Sequence, residues 1–141
     1  MIVLDANILF YSYSESSPQH RKARACLENL FSGAELVGLP WQTIAAFLRI
    51  STNPRLHGAR SASEAAHEVE VWLRQPNVRV LSPADGHWQL LRQLIFDGQA
   101  FGPLVSDAQI AALTIENGAV LYSSDRDFAR FPGLRWINPL A

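Results

Sequence analysis

Four aspartates fall at widely separated points of the chain, each beside the end or the beginning of a predicted element. Asp5 follows the apolar run Ile2–Leu4, Asp107 lies near the start of a predicted helix, and Asp125 and Asp127 follow a later apolar run. Carboxylates that are brought together repel one another unless a cation neutralises them. Hard divalent ions take carboxylate oxygens as ligands, and phosphodiester hydrolysis is a reaction that such ions support. The pattern therefore predicts a metal site assembled from distant segments.

Each of these acids also has a purely structural explanation. Asp5 can cap a short turn that begins near Ile8, and Asp125 can cap the turn that follows it. Asp107 suits the first turn of a helix because a negative charge there interacts well with the helix dipole. A single such acid is more often structural. The occurrence of Asp5, Asp107 and Asp125 together at one expected edge favours metal-binding and catalytic roles for these three.

Three polar residues close to the acids have open roles. Asn7 can orient the Asp5 carboxylate or hydrogen-bond a metal-associated water, and it can equally be a turn former after a strand. Ser124 can hold such a water or cap the following turn. Asp127 is more often a solvated or capping acid than a contributor to the metal site. We expect any contribution of these residues to support the three principal acids.

The acids converge only if the chain folds into an α/β arrangement. Short apolar runs predict five strands, at Ile2–Leu4, Leu36–Leu39, Val78–Leu81, Ala119–Tyr122 and Leu134–Ile137. Amphipathic segments between them predict helices, and this alternation implies a mostly parallel sheet with helices on both faces. Sites in such sheets lie at the carboxyl ends of the strands. Asp5 and Asp125 would therefore meet if the first and fourth strands are neighbours.

Local capping signals predict where several helices begin. These are Ser17-Pro18 as N-cap and first residue, Pro40 at the start of a helix reaching Ile50, the capping box Ser61–Glu64, and Ser106 as N-cap of a helix that ends at Glu116. The segment from Ile8 to Phe10 is predicted to form only a short turn.

Bulk composition limits the classes of protein that fit. A chain of 141 residues, 48% of them hydrophobic, suits a single domain over residues 1–141. No apolar run approaches the ~20 residues of a membrane span, and the beginning of the chain lacks a signal peptide, so we expect a cytoplasmic protein. The lone Cys26 excludes an internal disulfide or a cysteine zinc site. The net charge of −1 means that any nucleic-acid contact must come from a local patch.

Two other α/β classes place an aspartate after the first strand, and both are poor matches. Haloacid dehalogenase-like phosphatases need a second aspartate two residues later, where this chain has Asn7. Those phosphatases also use a lysine against the phosphoryl group, and the receiver domains of response regulators need a lysine late in the chain. Here the only lysine is Lys22, on the first predicted amphipathic helix.

Four segments in order along the chain resemble the PIN domain and, within it, the VapC toxins of bacterial toxin–antitoxin modules. They are Met1–Asn7, Val105–Leu113, Ser124–Phe128 and Gly133–Pro139. The resemblance implies a three-layer α/β/α sandwich and RNA cleavage dependent on Mg²⁺ or Mn²⁺. It also implies a VapB-like antitoxin that inserts into the site and a homodimer formed through helices that bear Trp41 or Trp72. By position, Asp5, Asp107 and Asp125 match the acidic residues of the family.

One departure from the family pattern concerns the helix after the second strand. The family usually carries a glutamate there, expected near Ile44, and this chain has no acid in that helix. Gln42 is the nearest polar alternative, and an amide oxygen can ligate a metal without bringing negative charge. We therefore expect weaker metal binding, or one firmly held ion in place of two. The alternative is a degenerate PIN-fold module that binds RNA or a protein without cleaving.

Two arginines are candidates for contact with a polyanion. Arg49 lies late in the helix after the second strand, and Arg126 lies within the acidic run. As a hypothesis, both contact RNA phosphate or the antitoxin. Surface solubility or salt bridging is the competing explanation for each.

Overall fold

A computed structural model describes all 141 residues. The strands are β1 (Ile2–Leu4), β2 (Val37–Pro40), β3 (Val78–Leu81), β4 (Val120–Tyr122) and β5 (Trp136–Ile137). The helices are α1 (Ala6–Tyr13), α2 (His20–Ser32), α3 (Trp41–Ser51), α4 (Ala62–Leu73), α5 (His87–Asp97) and α6 (Leu104–Glu116), and a short 3-10 helix spans Arg126–Arg130. None of the helices combines the length and apolar character that a membrane crossing requires.

The five strands form one sheet in the order β3-β2-β1-β4-β5, and every neighbouring pair is parallel. From β1 the chain adds β2 and β3 towards one edge of the sheet, and later β4 and β5 towards the other edge. The junction between β1 and β4 is therefore the topological switch point, where sheets of this kind form ligand sites. Leu4 is paired with Tyr122 across this junction, so Asp5 and the segment after Tyr122 leave the sheet side by side. The predicted parallel sheet is confirmed, and its first and fourth strands are neighbours, which is the condition under which Asp5 and Asp125 meet.

Two apolar clusters cover the two faces of the sheet. The central strand supplies both, since Ile2 and Leu4 point to one face and Val3 to the other, as the period of two in a strand requires. Helices α1 to α4 pack on the first face, and α5 and α6 on the second. This is the expected three-layer α/β/α sandwich.

Helix α1 is the largest difference between the predicted and the observed secondary structure. The segment was expected to hold only a short turn, because its apolar residues are continuous and show no helical period. In the structure Asp5 is its N-cap, with a carboxylate oxygen that accepts a hydrogen bond from the Ala6 N–H at 2.8 Å. The helix packs in the core through buried Ile8 and Leu9, which explains its apolar character.

Two predicted caps are wrong, and one is confirmed. Helix α2 begins at His20, because Ser17 instead forms a turn in which its hydroxyl accepts from the Gln19 N–H at 3.3 Å. Helix α6 begins at Leu104, so Ser106 lies within its first turn and does not cap it. At α4 the predicted capping box is present, with reciprocal hydrogen bonds of 3.1 Å between Ser61 and Glu64.

Candidate metal centre

A cavity of about 650 Å³ opens at the carboxyl edge of the sheet, next to the β1–β4 junction. Its volume lies within the ~300–1,000 Å³ typical of ligand sites. Four carboxylates line it, those of Asp5, Asp107, Asp125 and Asp127. They come from the end of β1, the first turn of α6 and the turn after β4. The structure thus brings together the three acids singled out in the sequence.

The tightest group in this cavity consists of Asp107, Asp125 and Asp127. One carboxylate oxygen from each lies within 4.8 Å of the others, a separation that a single ion can bridge. Asp107 and Asp125 are partly buried, and Asp127 is exposed. Asp127 therefore lies nearer the centre of the acidic group than the sequence suggested. Asp5 lines the same cavity without belonging to this closest trio.

Asp5 is held rigidly by its neighbours. One of its oxygens caps α1 through Ala6, and the other accepts a hydrogen bond of 2.7 Å from the Ser123 hydroxyl. Burial raises the pKa of the Asp5 carboxyl, the two hydrogen bonds oppose that rise, and the negative charge of Asp125 adds to it. The capping explanation therefore holds for Asp5, which also lines the cavity.

Asp107 is the least satisfied of the four acids. No hydrogen bond from the protein reaches it. Burial and, to a smaller extent, the negative charges of Asp5, Asp125 and Asp127 raise the pKa of its carboxyl from 3.8 to about 7, although Arg130 opposes the rise. A partly buried acid with this environment takes up a proton or a cation near neutral pH. Together with the oxygen-only donor set, this fits a hard divalent ion.

The sequence reading missed Ser123, which is the organising residue of the site. It is fully buried, and its hydroxyl donates to Asp5 while accepting from the Asn7 side-chain amide at 3.2 Å and from the Asp125 N–H at 3.0 Å. In the sequence analysis the neighbouring Ser124 is named as a candidate in its place. Its backbone N–H donates to the Asn7 side-chain oxygen at 3.4 Å, and its hydroxyl has no protein partner. Adjacent serines point to opposite sides of an extended chain, so only the pleat distinguishes them.

Helix α3 forms a part of the cavity wall that carries no acid. Gln42, Ala45, Ala46 and Arg49 face the cavity. Ile44, near which the family glutamate was expected, is buried in the core under the sheet. The helical period thus turns Ile44 itself away from the cavity, whereas the adjacent Ala45 and Ala46 face it. A glutamate able to reach the site would have to occupy one of the cavity-facing positions.

The two predicted polyanion contacts lie in different surroundings. Arg49 lines the cavity, is exposed and forms no salt bridge. Arg126 is exposed but does not line the cavity. Of the two tryptophans named for dimer formation, Trp41 is 56% exposed, whereas Trp72 is buried against Phe47 with ring centroids 4.6 Å apart. Trp72 therefore belongs to the core and cannot itself touch a partner.

These features define a class of α/β proteins that gather carboxylates at the switch point of a parallel sheet. The model of the PIN domain matches residues 2–134. VapC ribonuclease Mb2897 of Mycobacterium bovis is 38% identical over 141 residues, covering 99% of this chain and 96% of the relative. Ribonuclease VapC33 of Mycobacterium tuberculosis is also 38% identical, covering 99% of each chain. The chain belongs to the PIN-domain family and, within it, to the VapC-type ribonucleases.

Solved structures agree with the fold. VapBC2 from Rickettsia felis, bound to a DNA fragment from its promoter, contains a chain with a TM-score of 0.74 and 17% identity that covers 98% of both chains. Mycobacterium tuberculosis VapC20, described as a sarcin-ricin loop cleaving toxin, gives a TM-score of 0.68 at 19% identity and covers 96% of this chain. At these identities the similarity supports the fold alone.

Proposed function

We propose that this chain, acting as one PIN-like domain over residues 1–141, is a metal-dependent endoribonuclease and the toxin of a type II toxin–antitoxin system. The observation that carries the proposal is the unpartnered, partly buried carboxylate of Asp107 within a cluster of acids. A fold needs no such group for its stability, since buried charge without a partner is unfavourable. A divalent ion bound to this cluster would neutralise the charge of Asp107 and of the acids around it.

The ion would be Mg²⁺ or Mn²⁺. Asp107 and Asp125 would hold it with Asp5 completing the set, and these three are the catalytic residues of the proposal. When bound, it supplies charge neutralisation and Lewis-acid activation of the phosphodiester. In the hydrolysis, water adds to phosphorus, one P–O bond to ribose breaks, and the departing oxygen takes a proton.

The other polar residues of the site support these ligands. The Ser123 hydroxyl and the Ala6 N–H orient Asp5, and Asn7 secures Ser123 in turn. Asp127 and Gln42 stand at the cavity wall, and Ser124 contributes through its backbone N–H. A rigid set of ligands keeps the geometry that catalysis requires.

The proposed partners follow from the relatives. Several similar structures are toxin–antitoxin complexes, among them one from Klebsiella pneumoniae with a TM-score of 0.67. We accordingly propose a VapB-like antitoxin that inserts into the cavity, RNA as the substrate, and a homodimeric toxin. Arg49 and Arg126 are the candidate contacts for RNA phosphate or for the antitoxin.

The direct test incubates the purified chain with a labelled single-stranded RNA of mixed sequence, with Mg²⁺, with Mn²⁺ and with excess EDTA. We expect cleavage with either ion and none with the chelator. The Asp5→Asn and Asp125→Asn variants should each lose cleavage by about 100-fold or more, the scale on which loss of a transition-state electrostatic group acts.

The matched control is Asp85→Asn, which removes the same charge from an exposed loop residue outside the cavity. It should cleave like the unsubstituted chain. Cleavage that persists in EDTA would contradict the proposed chemistry. Metal-independent RNA binding without any cleavage would identify the chain as a binding module instead.

A further inference from the structure

The walls of the acidic cavity differ in charge from one side to the other. All four carboxylates come from β1, α6 and the turn after β4. The side formed by α3 presents an amide, two methyl groups and a guanidinium, from Gln42, Ala45, Ala46 and Arg49. Negative oxygens on one side only can surround one cation, whereas a second ion would lie against neutral or positive groups.

Arg49 is the one cation that lines this cavity. It forms no salt bridge and no side-chain hydrogen bond, although four carboxylates share the cavity with it. A guanidinium that neutralises a neighbouring acid would lie within hydrogen-bond distance of it. The five N–H donors of Arg49 are therefore free for a ligand, and their planar fork matches two oxygens of a phosphate.

The geometry points to a cavity that holds a single divalent ion, with the Arg49 guanidinium binding the RNA phosphate where a second ion would otherwise bind. This inference rests on the proposed function and states how the site recognises its substrate. An ion on the acids and the Arg49 guanidinium would together offer positive charge to a phosphodiester in the cavity. The loss of the family's helix glutamate is then matched by a cation on the same helix.

The first experiment measures RNA binding without cleavage. A fluorescein-labelled single-stranded RNA of mixed sequence is titrated by anisotropy into the Asp107→Asn variant, alone and combined with Arg49→Gln. We expect Arg49→Gln to weaken binding about tenfold, as loss of one charge-assisted contact does. The slope of log K against log salt should become shallower by about 0.7, which corresponds to one phosphate of a single strand.

Two further variants separate phosphate binding from general charge. Arg49→Lys keeps the charge but loses the fork, and it should fall between the parent and Arg49→Gln. Arg21→Gln removes an exposed, unpaired positive charge on α2, and it should leave affinity within about twofold, as expected for an exposed charge away from the bound strand. Equal loss in Arg21→Gln and Arg49→Gln would overturn the assignment of Arg49.

The second experiment counts ions. Equilibrium dialysis and electron paramagnetic resonance of Mn²⁺ should give one ion per unsubstituted chain, without the spin coupling of a close pair. Ala46→Glu, or Ala45→Glu if the first variant unfolds at a lower temperature, places a carboxylate on the α3 side and should admit a second Mn²⁺. Two coupled ions in the unsubstituted chain would refute the single-ion inference.

The outcomes separate this inference from the proposed function. A chain that cleaves RNA with Mn²⁺ but binds two ions, or binds RNA equally well after Arg49→Gln, keeps the function and loses the inference. A chain that never cleaves, yet binds one ion and needs Arg49 for RNA, keeps the inference about binding and loses the nuclease.

Discussion

The two ends of helix α6 carry two acids with opposite surroundings. At its start, Asp107 faces three other carboxylates and has no hydrogen bond from the protein. Near its end, the Glu116 side chain is only 8% exposed, and both of its oxygens are engaged, one by the His87 ring and the other by the Ala84 N–H at 3.2 Å. Glu116 joins the beginning of α5 to the end of α6. Burial of an acid therefore does not by itself mark a site, and what distinguishes Asp107 from Glu116 is the lack of hydrogen-bond partners within an acidic cavity.

The largest effect is expected from substituting Asp107, the acid that has no hydrogen-bond partner. Asp107→Asn removes a proposed ligand and one charge from a repelling group. We expect the affinity for Mn²⁺, measured by calorimetry, to fall by about 100-fold or more, since even outer partners of a metal site are worth about 10- to 100-fold. The melting temperature of the metal-free chain should stay the same or rise. A fall of several degrees would mean that Asp107 is structural.

The opposite result is expected for the acid with partners. Glu116→Ala leaves the largely buried His87 ring and the exposed Ala84 N–H without their acceptor. The free energy of unfolding, from urea titration, should fall by about 1–3 kcal/mol, the scale for removing an acceptor from a buried polar group. RNA cleavage well below the melting temperature should be unchanged, because Glu116 lies outside the cavity. Loss of cleavage in a folded Glu116→Ala variant would show that Glu116 is not purely structural.

The pH dependence of stability gives a third way to sharpen the contrast. The pKa of Asp107 is about 7 in the folded chain and 3.8 as the ordinary value. Between these values the folded state binds a proton that the unfolded state does not, so stability rises as pH falls from about 7 towards 4. The metal-free chain should therefore melt at a higher temperature at pH 5 than at pH 8.

This pH effect has a built-in control. It should shrink in Asp107→Asn, which cannot titrate, and it should remain in Glu116→Gln. Mn²⁺ binding should weaken as pH falls below about 7, because the ion and the proton compete for the same carboxylate. A stability profile of Asp107→Asn identical to that of the parent would show that other groups dominate.

Asp5 combines features of both acids, because it lines the cavity and also has hydrogen-bond partners. Substitution of its partner Ser123 is expected to have the smallest effect. Ser123→Ala removes the hydroxyl that bonds Asp5, Asn7 and the Asp125 N–H. We expect the free energy of unfolding to fall by about 1–2 kcal/mol, the cost of leaving buried polar groups unsatisfied. Cleavage should fall by about tenfold, since Asp5 loses its orientation. Ser124→Ala is the matched control and should change neither quantity appreciably.

Much of this arrangement could be read from local patterns. The β3 bounds, the capping box of α4 and the parallel alternation depend on periods and caps that neighbouring residues determine. Asp5 and Asp125 were expected near one edge because they follow predicted strands, and Asp107 because it lies in the first turn of a predicted helix. Failures came where a segment is apolar all round, as in α1, or where a capping residue had more than one possible partner, as at Ser17 and Ser106.

The order of amino acids is enough to show which residues could bind a cation, because it gives the carboxylates and their spacing from the predicted strands. The different surroundings of these residues depend on how distant segments pack. At the end of β4, Ser123 rather than Ser124 points towards Asp5. In α3, Arg49 lies on the cavity side and Ile44 on the core side. Where α5 packs on α6, Glu116 gains hydrogen-bond partners, whereas Asp107 has none. Each of these choices depends on which side chains from distant segments meet, and local propensity carries no information about that.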